Sequence, residues 1–410
     1  MADVKTLPVN LYEKPVGTLT LLSGDRSIFA FNDDYIADPA RPTLSLSFKD
    51  EFGGLITQSR PTQTSLTPFF SNLLPEGHMR DYLAARAGVK KMREFHLLWA
   101  LGADLPGALT VTSNNETAWH EDDAAGDDDE DGGAAKAGAM RFSLAGVQMK
   151  FSAIAEAQGG LTIPVDGAGG SWIVKLPSTR FERVPENEFS MMSLAEKIGI
   201  DVPANKLLDP SELHGLPEGV DALTEPAFVI ERFDRGPDGA RIHIEDFAQV
   251  FGVYPGDKYE KGTYRAIARV LWIETGAPGV EEFIRRLVFN TLIGNADMHL
   301  KNWSLIYPDR RTPALAPAYD FVSTIAYLKD EFAALKYARQ KRMLALSFDE
   351  LAYLAAKAGA PETLVVRTAR DTVERFVAAW TAERNNLPIT KEAKRAIDTH
   401  YKSAELVRDS

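Results

Sequence analysis

The chain has 410 residues, a formal net charge of −12 and no cysteine. That length exceeds one simple core and predicts two or three subdomains, and the missing cysteine excludes disulfides, thiolate metal sites and a cysteine nucleophile. No run approaches the roughly 20 apolar residues that cross a bilayer, and the first six residues hold no apolar signal-peptide core, so a cytoplasmic location is expected.

In chain order, residues 8–48 read as a small sheet. Thr18–Leu21 and Ile28–Phe31 flank Ser23-Gly24-Asp25, a hairpin turn. From Pro68 to Leu101 the apolar residues take helical spacing. Residues 121–136 then carry eight acids against Lys136, seven of the twelve net negative charges, with Gly and Ala between them. Such a stretch has no large apolar side chain to bury and reads as a solvated linker. Without it the body is only mildly acidic, which argues against DNA binding through a broad basic face.

From Met140 to Lys175 the pattern returns to strands punctuated by glycine. The loop Ser143-Leu144-Ala145-Gly146-Val147-Gln148-Met149-Lys150 has the elements of a phosphate cover: Gly146 lets backbone N–H groups approach oxygen, and Lys150 adds charge. An ordinary β-turn with Gly146 at positive φ fits the same residues. Ser171-Trp172-Ile173-Val174-Lys175 is an apolar strand carrying one Lys, which a phosphotransferase uses against the α/β-phosphates. A Lys in so apolar a setting wants a partner. Glu186 and Glu188, on a helix predicted at 186–198, both qualify, with Glu188 preferred. Ala227–Ile230 predicts a strand running into Glu231-Arg232-Phe233-Asp234-Arg235.

Beyond about residue 245 the chain reads as mostly helical. Val280, Phe283, Ile284, Leu287, Val288 and Leu292 predict an amphipathic helix over 280–293, ended by Gly294, and Trp303–Tyr307 reads as a short strand. Between them lies Asn295-Ala296-Asp297-Met298-His299-Leu300-Lys301-Asn302, and Tyr319-Asp320 follows. Moving a γ-phosphoryl group calls for one Asp at the attacking hydroxyl and an Asn–Asp oxygen pair for Mg²⁺. Asp297, Asn302 and Asp320 supply these types. Asp and Asn also collect in turns without catalysis; the added His299, Lys301 and Asp320 favour the nucleotide–metal site. A β-rich first half, a hinge-like strand and a helical second half predict an α+β, bilobal, protein-kinase-like fold.

Eight short motifs in order resemble the HipA toxin kinases of bacterial type II toxin–antitoxin modules. They are Leu11-Tyr12-x-x-x-x-Gly17, Phe70-x-x-Leu73-Leu74-Pro75-Glu76-Gly77, Leu101-Gly102-x-Asp104-x-x-Gly107-Ala108 and Ser143-x-Ala145-Gly146-x-Gln148-x-Lys150, then Glu231–Arg235, His243-x-Glu245-Asp246, Asn295–Asn302 and Tyr319-Asp320. With the acidic stretch read as a linker at 116–139, the chain divides into an N-terminal subdomain at 1–115, a nucleotide-binding portion at 140–240 and a helical lobe at 241–410. The resemblance implies Asp297 as catalytic base and Asn302 and Asp320 as Mg²⁺ ligands. Lys175 would meet the ATP phosphates, Ala145–Lys150 would cover them, and Glu231, Arg232 and Phe233 would meet adenine. His299, Leu300, Lys301 and Tyr319 would line the phosphate side, and Ser143 matches the family's autophosphorylation serine. Val147 and Met149 stand at variable loop positions, and the acidic stretch is a local elaboration. The implied partners are a HipB-like helix-turn-helix antitoxin, operator DNA through that antitoxin, and an aminoacyl-tRNA synthetase substrate, glutamyl-tRNA synthetase being the best known. Two other readings are a co-repressor with vestigial catalysis and a kinase of a non-protein hydroxyl.

Overall fold

Alternating burial sets the first sheet: in β1 (Lys5–Leu11) Leu7, Val9 and Leu11 are buried and the residues between them are not. β2 (Lys14–Leu22) and β3 (Arg26–Phe31) follow as antiparallel neighbours. The connecting turn has φ of 72° at Gly24 and 53° at Asp25, residue types that tolerate the left-handed region. β4 (Thr62–Gln63) and β5 (Leu109–Val111) complete the sheet in the order β4-β3-β2-β1-β5. The sheet is therefore not confined to residues 8–48. The chain leaves it after Phe31 into a short helix, Asp33–Ala37, and Pro39 and Pro42 beyond lack the N–H that a ladder needs. Helices Pro68–Ser71, Gly77–Arg86 and Glu94–Leu101 close this domain over a core that includes Phe29, Phe70 and Leu98. The computed structural model describes residues 5–112, 150–156, 160–163, 169–216, 224–236, 239–329 and 331–409.

The second sheet contains β6 (Lys150–Ala155), β7 (Leu161–Thr162), β8 (Trp172–Lys175), β9 (Asn205–Leu208), β10 (Leu213–His214) and β11 (Ala227–Glu231). Its order is β10-β7-β6-β8-β11-β9. Register places Lys150 and Phe228 on the strands flanking β8, each opposite Lys175. The helix Val184–Lys197 begins two residues before its predicted start and buries Glu188, Met191, Met192 and Ala195, spaced for one face. A third sheet, β12 (His243–Asp246), β13 (Ser304–Tyr307) and β14 (Ala314–Leu315), lies in the half expected to be mostly helical.

The helix Tyr264–Ile293 is broken at Gly276 (φ 67°, ψ −151°), with Pro278 two residues on. Proline suits the first turn of a helix because its missing N–H has no partner there, so the stretch after the break is the amphipathic helix foreseen at 280–293. Gly294 ends it at φ 68°. Helices Phe348–Ala358, Glu362–Glu383, Lys391–Ser403 and Glu405–Arg408 pack around it. The shared core contains Phe283, Leu287, Trp303, Phe376, Trp380, Ile397 and Leu406.

The N-terminal domain is stitched to the rest by buried polar groups. Arg235 donates to Asp104 at 2.8 Å and the Gly107 N–H donates to Asp234 Oδ2 at 2.8 Å. Gly107 has φ of 75°, and a Cβ there would lie 2.8 Å from the backbone nitrogen of Ile244. Gly107→Ala is therefore expected to destabilise the chain by about 1–3 kcal/mol, read from the denaturant midpoint.

Glu245 accepts from the Leu46 N–H at 3.0 Å, the Ser45 hydroxyl and the Tyr307 hydroxyl. Burial raises its carboxyl to about 7 against the pull of those donors, and burial likewise raises Asp246 to about 6. Between about 4.5 and 7 the folded chain holds protons that the unfolded chain has released, so stability falls as pH rises through that window. Glu245→Gln is expected to shrink this decline by about 1–3 kcal/mol, measured as urea midpoints between pH 5 and 8.

Candidate active site

The lysine of β8 anchors the site. Lys175 is 3% exposed, and its ammonium pairs with both Glu188 and Asp320. Burial opposes the charge, but the two carboxylates reverse that and hold the lysine protonated well above its ordinary value. Glu188 rather than Glu186 faces it because helical phase turns Glu188 inward with Met191 and Met192; Glu186 lies 3.7 Å from Arg183. Asn187 fixes the helix beside the site, since its amide donates to the Ser323 carbonyl at 3.1 Å and accepts from the Ser323 N–H at 3.0 Å.

Asp320 stands at φ 58°, a left-handed conformation uncommon outside glycine and typical of strained functional positions. Lys150 reaches its carboxylate at 3.2 Å, so two cations converge on it. Burial alone would raise this carboxyl; Lys150 and Lys175 override it and keep the group ionised far below the usual range.

The polar octet occupies the loop between the Gly294 helix end and β13. Asn295 clamps it: its amide nitrogen donates to Asn290 Oδ1 at 2.9 Å and to the Asp320 carbonyl at 3.3 Å, while its Oδ1 accepts from the Asp297 N–H at 3.0 Å. Asn302 donates to the Asp297 carbonyl at 2.8 Å, which leaves its own amide oxygen to meet a cation. The Asp297 residue surface opens to solvent, and its carboxylate accepts from the Tyr259 hydroxyl. The surrounding protein raises its carboxyl, the Tyr259 bond works the other way, and the negative Asp320 adds to the rise. A solvent-facing carboxylate with a raised pKa, next to an ionised one bearing two lysines, is a division of labour suited to proton abstraction and charge binding respectively.

Asp320 and Asn302 offer a hard oxygen pair, and no cluster of three or more His, Cys, Asp or Glu ligands occurs among the described residues. That set fits Mg²⁺, which takes one or two protein oxygens and completes its shell with phosphate and water, and does not suit a metal that needs a full protein cage.

Not every expected residue joins this cluster. Leu300 is fully buried in the hydrophobic core, and the Lys301 ammonium is held by Glu76 at 2.7 Å and the Asn72 carbonyl at 3.1 Å, so neither side chain reaches the Lys175–Asp320 group. His299 is buried; desolvation and the nearby Lys258 charge push it down to about 3, which keeps it neutral, and its ring meets Tyr259 edge-on at 4.8 Å. Tyr319 donates to the Lys301 carbonyl at 2.8 Å and places its ring 5.6 Å from that of Phe233, beneath the hinge. Glu231 is exposed and its N–H donates to the Ala204 carbonyl at 2.8 Å. Arg232 is spent on Asp234, with bonds of 2.9 and 2.8 Å, and on Ser152 at 3.1 Å, so its guanidinium is structural. Ser143, Ala145, Gly146, Val147, Gln148, Met149 and the acidic stretch lie outside the described residues.

Tyr259, Lys258, Asn187 and Glu76 escaped the sequence reading as members of the site. Tyr259 and Asn187 lie 38 and 136 residues from the partners they bond, Asp297 and Ser323, and Lys258 lies 182 from Glu76; Glu76 stood in the motif Phe70–Gly77 with no role of its own.

A profile of the HipA-like C-terminal domain matches residues 142–380, and one of the HipA N-terminal domain matches residues 7–112. A Sinorhizobium fredii protein designated a candidate kinase, Y4dM, is 60% identical over 413 residues, covering 100% of this chain and 99% of that one. The serine/threonine-protein kinase toxin HipA of Shewanella oneidensis is 27% identical over 464 residues, covering 100% of this chain and 96% of its own length. The solved complex of Shewanella oneidensis HipA with HipB and operator DNA contains a chain that superposes with a TM-score of 0.70 at 22% identity, covering 98% of this chain and 96% of that one. The last likeness establishes the kinase-like HipA fold, with its β-rich first half and helical second half. Among the described residues no helix is long and apolar enough to cross a membrane. Profile matches over both halves and a 60% identical relative of equal length place the chain in the HipA family of serine/threonine-protein kinases.

Proposed function

We propose that this kinase moves the γ-phosphoryl group of ATP to a serine or threonine hydroxyl of a protein in a Mg²⁺-dependent reaction. The observation that carries the reading is Lys175, buried between Glu188 and Asp320, with Asp297 on the adjoining loop and Asn302 tied to its carbonyl. Asp297 orients the attacking hydroxyl and takes its proton. Lys175 and Lys150 draw the triphosphate oxygens. Asn302 and Asp320 hold the cation, which when bound neutralises charge on the phosphates. Glu231 to Phe233 meet adenine from the hinge through backbone groups, Phe233 resting on Tyr319. Residues 145–150 cover the phosphates, and Ser143 is the autophosphorylation site whose added charge of about −2 drives that loop from the pocket.

In the cell the reading extends to a growth-arresting toxin acting in the cytoplasm. It is held by a HipB-like antitoxin, reaches operator DNA through that antitoxin, and phosphorylates an aminoacyl-tRNA synthetase. Family membership, the relative named a toxin and the solved HipA–HipB–DNA assembly support this extension. The test is incubation with radiolabelled ATP and Mg²⁺, alone and with purified synthetases, followed by phosphosite mapping. Label on Ser143 and on one synthetase supports the whole reading. Label on Ser143 alone retains the kinase and removes the synthetase. Absence of label, with intact mass showing an unmodified chain, overturns the proposal in favour of a co-repressor.

A further inference from the structure

The Lys301 ammonium of the 295–302 loop takes its carboxylate partner from the N-terminal domain. Glu76 immediately precedes the helix Gly77–Arg86 in the N-terminal domain, and its side chain makes no capping bond to it. One carboxylate oxygen meets the Lys301 ammonium at 2.7 Å and the other meets the Lys258 ammonium at 2.7 Å. Lys301 directly precedes Asn302, and Lys258 directly precedes Tyr259, whose hydroxyl donates to Asp297. The ammonium of Lys258 lies 5.6 Å from the centre of the Tyr259 ring, and the same ring packs on His299. Burial works against the charge of Glu76, but Lys301 and Lys258 hold its carboxyl down to about 2, so it is ionised under all working conditions. The strap is reinforced where Asn72, on the same domain, accepts from Lys301 at 3.1 Å and donates to the Val253 carbonyl at 2.8 Å.

Two like charges on neighbouring loops repel; one carboxylate between them turns repulsion into a bridge whose length is fixed by two hydrogen-bonded ion pairs. Removing the carboxylate takes an ionic anchor from both loops at once, leaving Lys301 only the Asn72 carbonyl. Since Tyr259 and Asn302 flank Asp297 from those two loops, its carboxylate loses its fixed aim, and misplacement by about 1 Å costs on the order of 10²-fold in rate.

We propose that Glu76 is a positioning residue for phosphoryl transfer, aligning Asp297 and Asn302 through Lys258 and Lys301, so that the catalytic loop is in register only while the N-terminal domain is docked. The inference rests on the kinase reading above, and its test separates the two. Glu76→Gln keeps the shape but leaves one end an amide donor unable to receive an ammonium. It is expected to lower kcat about 10- to 100-fold, to leave KM for ATP within about twofold, and to speed amide hydrogen exchange over residues 297–302. Glu76→Asp should recover part of kcat. Lys49→Met, which breaks the 2.8 Å pair with Glu274 across the same domain boundary, should leave both kcat and that exchange unchanged. Wild-type kcat and exchange in Glu76→Gln, or an equal loss in Lys49→Met, overturns the proposal. If the wild-type chain transfers no phosphate, the kinase reading fails on its own, and the exchange comparison still decides whether Glu76 holds the loop.

Discussion

Asp297→Asn is expected to lower phosphoryl transfer by about 10²- to 10⁴-fold, the usual contribution of a positioned general base, while leaving the melting temperature within a degree or two. The fold does not depend on this carboxylate: it is bound through its side chain to Tyr259, whereas the loop is held by its backbone, through Asn295 at the N–H and Asn302 at the carbonyl. An asparagine keeps an oxygen for the Tyr259 hydroxyl and removes only the ability to accept a proton. Its surface position means that no core contact is lost, and since the surroundings already disfavour the charge, neutralising it relieves a cost. The measurement is single-turnover transfer from labelled ATP beside a thermal melt of the same sample. Transfer at the wild-type rate would remove Asp297 from the base's role.

Lys175→Met should behave in the opposite way, destroying stability along with activity. The lysine is buried and compensates two carboxylates, one of them, Glu188, only 1% exposed. Taking one partner from a buried ion pair strands the other charge at a cost of about 3–5 kcal/mol. The double variant Lys175→Met, Glu188→Gln removes the stranded charge and is expected to recover a large part of that stability but none of the transfer, because the proposed phosphate contact of Lys175 is still missing. Urea unfolding of the two variants checks the first half and the label assay the second. Equal instability in both would mean that Glu188 contributes little to the penalty. In contrast to Asp297, this position couples chemistry to folding, so a loss of activity there is informative only when the two are measured together.

Residues that act through local patterning were legible in the chain. The hairpin at Gly24, the apolar strand ending in Lys175 and the amphipathic run closed by Gly294 follow from periods of two or 3.6 and from turn chemistry, each within 15 residues or fewer of sequence. The resemblance, carried by motif order, supplied the arrangement of these parts. What lay beyond reach depends on contacts distant in sequence. The Glu76 bridge spans more than 180 residues, and nothing in either segment marks the other. Glu188 was separable from Glu186 only by helical phase, which needs a boundary accurate to one residue. Leu300 and Lys301 show the limit of borrowing a motif whole. Successive residues of a tight loop point in different directions, so one entered the core and the next crossed to another domain.

The main core has one further implication for anyone dividing this protein. The stretch 142–380 matches the HipA-like C-terminal domain, yet Leu387, Ile389, Ile397, Tyr401, Ala404 and Leu406 are buried in the same cluster as Phe376 and Trp380. Trp380 also donates its indole N–H to Asp398 at 2.9 Å, beyond that limit. A chain trimmed at residue 380 would unroof these aromatic rings and expose a greasy trough to water, inviting aggregation. The boundary of recognisable ancestry and the boundary of the folding unit are thus different places, and only the second yields a soluble fragment.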